Sequence, residues 1–143
     1  MRREELELDD GLLCLSINGK SETIFNPTDI GFIERVYRVF EQLDGIQTDL
    51  EKRIRASERD QIFTIAREAD EQMRELVDGV MGAGTCAAQY GDVNVYARAG
   101  GLPLWTNLLF AVLDRCEAEV GAQEAAMSPR LEQYAKKWAK YKR

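Results

Sequence analysis

Apolar and polar positions alternate over Leu13, Leu15 and Ile17, with Cys14 and Ser16 between them, and a second short run covers Thr23 to Phe25. Asn18-Gly19 lies between the two runs. A period of two marks a half-buried strand, and Asn-Gly favours a two-residue type I′ turn because both residues tolerate positive φ. A β-hairpin is therefore expected over residues 12–25, with residues 1–11 disordered ahead of it. One hairpin alone is marginal in water, so it must lie on helices or pair with another strand.

From Asn26 onward the period lengthens. Asn26-Pro27-Thr28-Asp29 is a helix start, with Asn26 as cap, Pro27 in the first turn and Asp29 at the positive end of the dipole. Ile33, Val36, Tyr37, Phe40 and Leu43 then recur at helical spacing, and Asp44-Gly45 is expected to end the helix. Between Ile46 and Val77 neither proline nor glycine occurs. Ile62, Ala66, Ala69, Met73, Leu76 and Val80 follow a 4-3-4-3-4 spacing, the seam of a coiled coil if sustained. Two structures compete for this stretch. One is a continuous helix of roughly 48 Å; the other is a helical hairpin broken near Ser57, with Ser57 capping and Asp60 three residues later. The segment RASERD at 55–60 holds good helix formers and no true breaker, so the continuous helix is the preferred reading. Such a helix would overhang a domain whose radius of gyration is roughly 14–15 Å, and its apolar stripe would need a partner, usually a second copy.

Glycines at 79, 82 and 84 then loosen the chain. Thr85 is placed to cap a short helix over 86–90, stopped by Gly91. Residues 92–99 read as partial strand or ordered loop, and Gly100-Gly101-Leu102-Pro103 as a turn. The next helix, from Leu104 to about Glu119, presents Leu104, Leu108, Leu109, Val112, Cys116 and Val120 to the core, with Trp105 adding a large apolar surface. Residues 121–127 read as a loose Ala-rich stretch, and Ser128-Pro129 as the start of a final helix. The fold class is α+β: predominantly helical, with an N-terminal β-hairpin and a long central helix. One domain spans 1–143, divided into the hairpin, a helical body over 26–127 and a basic C-terminal helix over 128–143.

Charge sharpens the picture. The chain of 143 residues has a net charge of −6. Residues 1–127 carry 13 basic against 24 acidic side chains, whereas 128–143 carry six against Glu132 alone. An acidic body with a basic end suggests a docking helix or an intermolecular charge contact. A merely solvated helix face explains the same pattern.

Catalytic chemistry finds little support. There is no histidine, hence no Ser-His or Cys-His pair and no usual general base near neutral pH. The glycines of GVMGAG and ARAGG match neither a phosphate-cradling loop ending in Gly-Lys nor GxGxxG. No enzymatic activity, cofactor or metal is expected. Cys14, Cys86 and Cys116 form no CxxC, and reduced thiols in a cytoplasm are the simplest reading. The longest apolar run, Leu108 to Leu113, is far short of the ~20 residues that span a bilayer, and MRREELELDD lacks the apolar core of a signal peptide. No membrane contact is expected. In QYGDVNVYARAGGLPLW the polar groups of Tyr90, Asp92, Asn94 and Tyr96 cluster, and the preferred reading is an ordered loop in which Asp92 and Asn94 bond their own backbone.

Protein partners remain. Phe63, Met73, Leu76 and Met81 are candidates for an adaptable partner-binding surface, since Met repacks readily, although burial is the commoner fate of such residues. Tyr134, Trp138 and Tyr141 share one face of the basic segment. Their helical spacing favours core or partner contact over stacking on bases, and the acidic body would repel phosphates.

Three segments carry a family likeness: LSINGKSETIFNPTDIGFIERVYRVFEQLD, READEQMRELVDGVMG and YGDVNVYARAGGLPLWTNLLFAVLD. In order and content they resemble a family of short proteins from the tail-gene modules of tailed bacteriophages and prophages of Gram-positive hosts. The likeness covers roughly residues 12 to 141 and lies in segment order, without a diagnostic catalytic motif. It implies a tail assembly chaperone-like protein of the host cytoplasm that coats the helical tape-measure protein, recruits tail-tube subunits and forms homo-oligomers. Two alternatives are a structural tail or head–tail completion protein of the virion and a small DNA-binding regulator using the C-terminal helix.

Overall fold

The computed structural model describes residues 1–139. Along them run β1 (Leu13–Ile17), β2 (Ser21–Phe25), α1 (Ile30–Ala56), α2 (Arg59–Met81), α3 (Thr85–Tyr90), β3 (Arg98–Ala99), β4 (Leu102–Pro103) and α4 (Leu104–Ala139). The class is α+β and mostly helical, with the expected N-terminal antiparallel hairpin.

In the hairpin, Leu13, Leu15 and Ile17 turn inward while Cys14 and Ser16 face solvent, as the alternation requires. Asn18 and Gly19 both adopt positive φ, 53° and 66°, and Lys20 N–H donates to the Ile17 carbonyl at 3.0 Å. The register nevertheless sets Ile17 opposite Ser21, so three residues separate the strands instead of the expected two. Phe25 stacks on Phe32 of α1 at 4.5 Å, and Gln89 of α3 donates to the Ile17 carbonyl at 2.7 Å. Helices thus cover the strand pair on its apolar face.

Helix α1 starts three residues later than expected. Asp29, not Asn26, is the cap, accepting from Gly31 N–H at 2.9 Å. Asn26 instead shapes the preceding turn by accepting from Thr28 N–H at 2.9 Å. The helix also runs straight through Asp44-Gly45. Leu43 and Leu50, which flank this glycine, are buried. Each contributes about 1.5–3 kcal/mol, which outweighs the ~1 kcal/mol cost of a helical glycine.

The continuous helix over 46–77 does not form. Ser57 (φ −105°, ψ 154°) and Glu58 (φ −72°, ψ 155°) are extended, and the chain reverses between α1 and α2. Ser57 makes no capping bond with its side chain; its N–H closes α1 by donating to the Ile54 carbonyl at 3.4 Å. Reversal lets Leu43 and Leu50 bury against the face of α2 that carries Ala69, Met73 and Val77. A straight helix would leave both stripes in water, which decides against it.

Helix α4 continues without interruption from Leu104 to Ala139, with Pro129 inside it, so neither the loose stretch over 121–127 nor a fresh start at Ser128 exists. Its first half is the core helix anticipated from the pattern: Trp105, Leu108, Leu109, Val112 and Cys116 are all buried. Beyond Val120 every residue from Gly121 to Gln133 is exposed, although Gln123 and Arg130 border a hollow shared with Asp9, Asp10, Gly11 and residues 26–28. Proline removes one backbone donor here, but the orphaned carbonyl of Ala125 stands in solvent, where water satisfies it.

Among the described residues no helix is long and apolar enough to cross a membrane.

Candidate protein-docking surfaces

Of the seven residues proposed for partner contact, Phe63, Met73, Leu76 and Met81 do not form one surface. Met73 (0% exposed) and Met81 (2%) lie inside the core, packed in one cluster with Val36, Leu43, Val77 and Leu109. They offer no surface to a partner, because the reversal at Ser57 turns their stripe inward. Leu76 is half-buried in the wall of a groove between α1 and α2. Phe63, in the second turn of α2, is 64% exposed. Tyr134 and Trp138 belong to the last turns of α4, and Tyr141 lies outside the described residues.

A different surface emerges where α1 meets α4. Ile33, Tyr37 and Phe40 from α1 face Phe110, Leu113 and Val120 from α4 across an apolar groove of about 370 Å³, with Asp114 and Glu117 on its rim. Tyr37 is 55% and Phe110 43% exposed. Phe40 joins this patch to the interior: its ring stacks on Phe110 at 5.4 Å and meets the buried Trp105 edge-on at 5.2 Å. Trp105 is held in turn, its indole N–H donating to Gln47 Oε1 at 3.1 Å. The groove's floor is therefore packed directly against the core.

Helical spacing groups Tyr37 with Ile33, Val36, Phe40 and Leu43, yet its side chain is exposed, as is that of Phe110. A signal for both was present. Ile33, Val36, Tyr37, Phe40 and Leu43 cover a broader arc than one neighbouring element fills, and Leu108-Leu109-Phe110 points three apolar side chains in three directions. Some of these had to face outward.

A second groove follows the seam of the α1–α2 hairpin. It consists of three adjoining hollows, from Arg35 and Val80 at one end to Ser57 and Asp60 at the bend. Its widest part, about 820 Å³, has Ile46, Leu50, Ala69 and Leu76 for a floor and Asp49, Arg53, Glu68 and Glu75 along its sides. Gly45 opens into it, and a β-carbon placed there would meet nothing within 4 Å.

The polar cluster at 90–96 is a clamp. Asp70 Oδ1 accepts from Val95 N–H at 2.8 Å, while Arg74 donates to the carbonyls of Gly91 at 2.8 Å and Val93 at 2.7 Å. Side chains of α2 thus fix this loop, in place of the local bonds from Asp92 and Asn94 expected from the sequence; the Asn94 amide bonds the Tyr96 hydroxyl. Burial pushes the Cys86 thiol up to about 12, helped by its contact with Asp78, and burial likewise pushes the Tyr90 phenol up to about 12. A thiol held that high is a poor nucleophile near neutral pH. Among the described residues no three cysteine or carboxylate side chains are placed to hold a metal ion.

Comparison with protein-family models, curated proteins and solved structures finds no match for this chain.

Proposed function

We propose that the chain is a non-enzymatic, tail assembly chaperone-like protein of a phage tail module, binding the helical tape-measure protein, tail-tube subunits or both. On this reading it acts in the cytoplasm of a bacterial host. The likeness of its three segments to that family supports the role. The observation that carries it is the α1–α4 groove, where Tyr37 and Phe110 stay exposed beside a floor packed on the core through Phe40 and Trp105. An amphipathic helix lays an apolar stripe into a groove of this kind through anchors at i, i+3/i+4 and i+7. Aromatic side chains anchor such contacts well because they lose little rotamer freedom on binding.

Co-expression with the long helical protein of the same gene module tests the reading. The wild-type chain should co-purify with it and keep it soluble. The double variant Tyr37→Ser, Phe110→Ser should fold normally and lose both effects. A wild-type chain that neither binds nor solubilises the partner defeats the proposal.

A further inference from the structure

The two grooves differ in how their charges are balanced. Along the α1–α2 seam both signs mix: Arg35 and Arg38 lie with Glu75 at one end, and Arg53 lies with Asp49 and Glu68 in the widest part. The α1–α4 groove carries one sign. Among the residues that line it only Asp114 and Glu117, both on α4, are charged. Two more carboxylates flank it on α1. Glu41 and Asp44 follow Tyr37 by four and seven residues, which sets them on the same exposed face of the helix.

The basic side chains nearest in sequence are engaged elsewhere. Arg38 bonds Glu34 and lines the seam, and Arg35 lies over the Phe32 ring at 5.9 Å. On α4, Arg115 bonds Glu119 at 2.9 Å, and Arg130 borders the hollow shared with Asp9 and Asp10. Among the described residues no ion pair involves Glu41, Asp44, Asp114 or Glu117. The aromatic groove is thus an apolar strip between carboxylates that lack counter-charges. Such a rim repels the phosphates of nucleic acid and of anionic lipid head groups, and it attracts cations. The strip from Ile33 to Phe40 is about 10 Å long, two helical turns.

We propose that the α1–α4 groove selects a basic amphipathic helix. Three apolar anchors over two turns would enter beside Tyr37 and Phe110, and lysine or arginine side chains flanking them would meet Asp114 and Glu117 on α4 and Glu41 and Asp44 on α1. This inference rests on the reading of the groove as a docking site and adds the charge that its occupant must carry.

Two synthetic peptides of about five helical turns provide the test, by fluorescence anisotropy against the full chain. Both carry leucines at i, i+4 and i+7 in an alanine background; the flanking positions are lysine in one and glutamate in the other. At low salt the lysine peptide should bind about tenfold tighter than the glutamate peptide, and the gap should close as salt rises. The double variant Asp114→Asn, Glu117→Gln keeps the shape of the rim and should cut the preference by about threefold or more. Glu5→Gln with Glu7→Gln removes the same charge from the exposed N-terminal segment and should leave the preference unchanged. Tyr37→Ser with Phe110→Ser should lose both peptides. Equal binding of the two peptides, or a preference that survives the loss of Asp114 and Glu117, would overturn the charge assignment while the groove kept its docking role. Failure of both peptides to bind wild type, or binding that survives the loss of Tyr37 and Phe110, would overturn the docking role with it.

Discussion

Asp70 and Arg74, one turn apart on α2, form an ion pair at 2.9 Å and between them hold three backbone groups of the segment between α3 and β3. Both side chains are largely shielded, at 13% and 21% exposure. Asp70→Ala removes the pair and leaves the N–H of fully buried Val95 without its partner. Stability should fall by about 1–3 kcal/mol, since the buried Val95 N–H is stranded while Arg74 keeps its bonds to the Gly91 and Val93 carbonyls. Urea unfolding measures this directly, and a loss under half a unit would show that the clamp contributes little.

The same substitution at two glycines should act with opposite sign. Gly45 lies inside α1 with open space at its β-carbon position, so Gly45→Ala should stabilise by about 1 kcal/mol. Gly91 ends α3 at φ 54°, a conformation that L side chains rarely adopt. Gly91→Ala should therefore destabilise by about 1 kcal/mol despite equally open surroundings. Paired thermal melts decide the matter.

Stability should decline on the alkaline side. Cys86 titrates at about 12 in the folded chain against an ordinary 9.0, and Tyr90 at about 12 against 10.0. Above pH 9 the unfolded chain therefore holds fewer protons than the folded one, and stability falls as pH rises toward 12. Below pH 9 both forms are protonated and the effect vanishes. Cys86→Ala should flatten the slope between pH 9 and 12 in urea titrations.

Thiol labelling should discriminate among the three cysteines. Cys14 is exposed, whereas Cys86 and Cys116 are buried. Its hydrogen bond to Glu22 raises the Cys14 thiol above its ordinary value. Removing that carboxylate should lower the thiol's pKa and enlarge the thiolate fraction, so Glu22→Gln should speed iodoacetamide labelling of Cys14. Mass spectrometry of the native protein should find one modified site in three.

Much of the local structure was legible, and the failures share a cause. The hairpin, the extent of α3 and the buried side of α4 follow from period and turn residues, which are local quantities, although Gly84 and not Thr85 caps α3, the Thr85 hydroxyl donating instead to the Gly82 carbonyl. At Gly45 and Pro129 local rules indicated boundaries, and the helices run through both. Buried leucines on either side of Gly45 override its propensity, and water relieves the broken bond at Pro129. At Ser57 the reverse holds: no breaker is present, yet the chain turns because two apolar stripes bury each other only by folding back. Such decisions are made by tertiary contacts that no short window contains. The docking surfaces were hidden for the same reason. Which of Val36 and Tyr37 faces inward depends on where α4 lies, and Met73 moved from candidate surface to core once α2 turned back.

Removing residues 124–143 should leave the body intact. Every residue described from there to Gln133 is exposed, so the midpoint of urea unfolding should move by less than about 1 kcal/mol equivalent. A larger shift would mean that the body depends on the arm.

Because one unbroken helix serves both as a wall of the interior and as a projecting spar, the two parts cannot rotate independently. An isolated copy would experience hydrodynamic drag like a ball on a stick, with a head of roughly 14 Å radius of gyration. Its friction coefficient would exceed that of a sphere of equal mass, and amide vectors along the spar would relax with the slow axis of the whole particle. Any torque applied near Ala139 would pass Pro129, where the helix lacks one backbone hydrogen bond, before it reached Trp105.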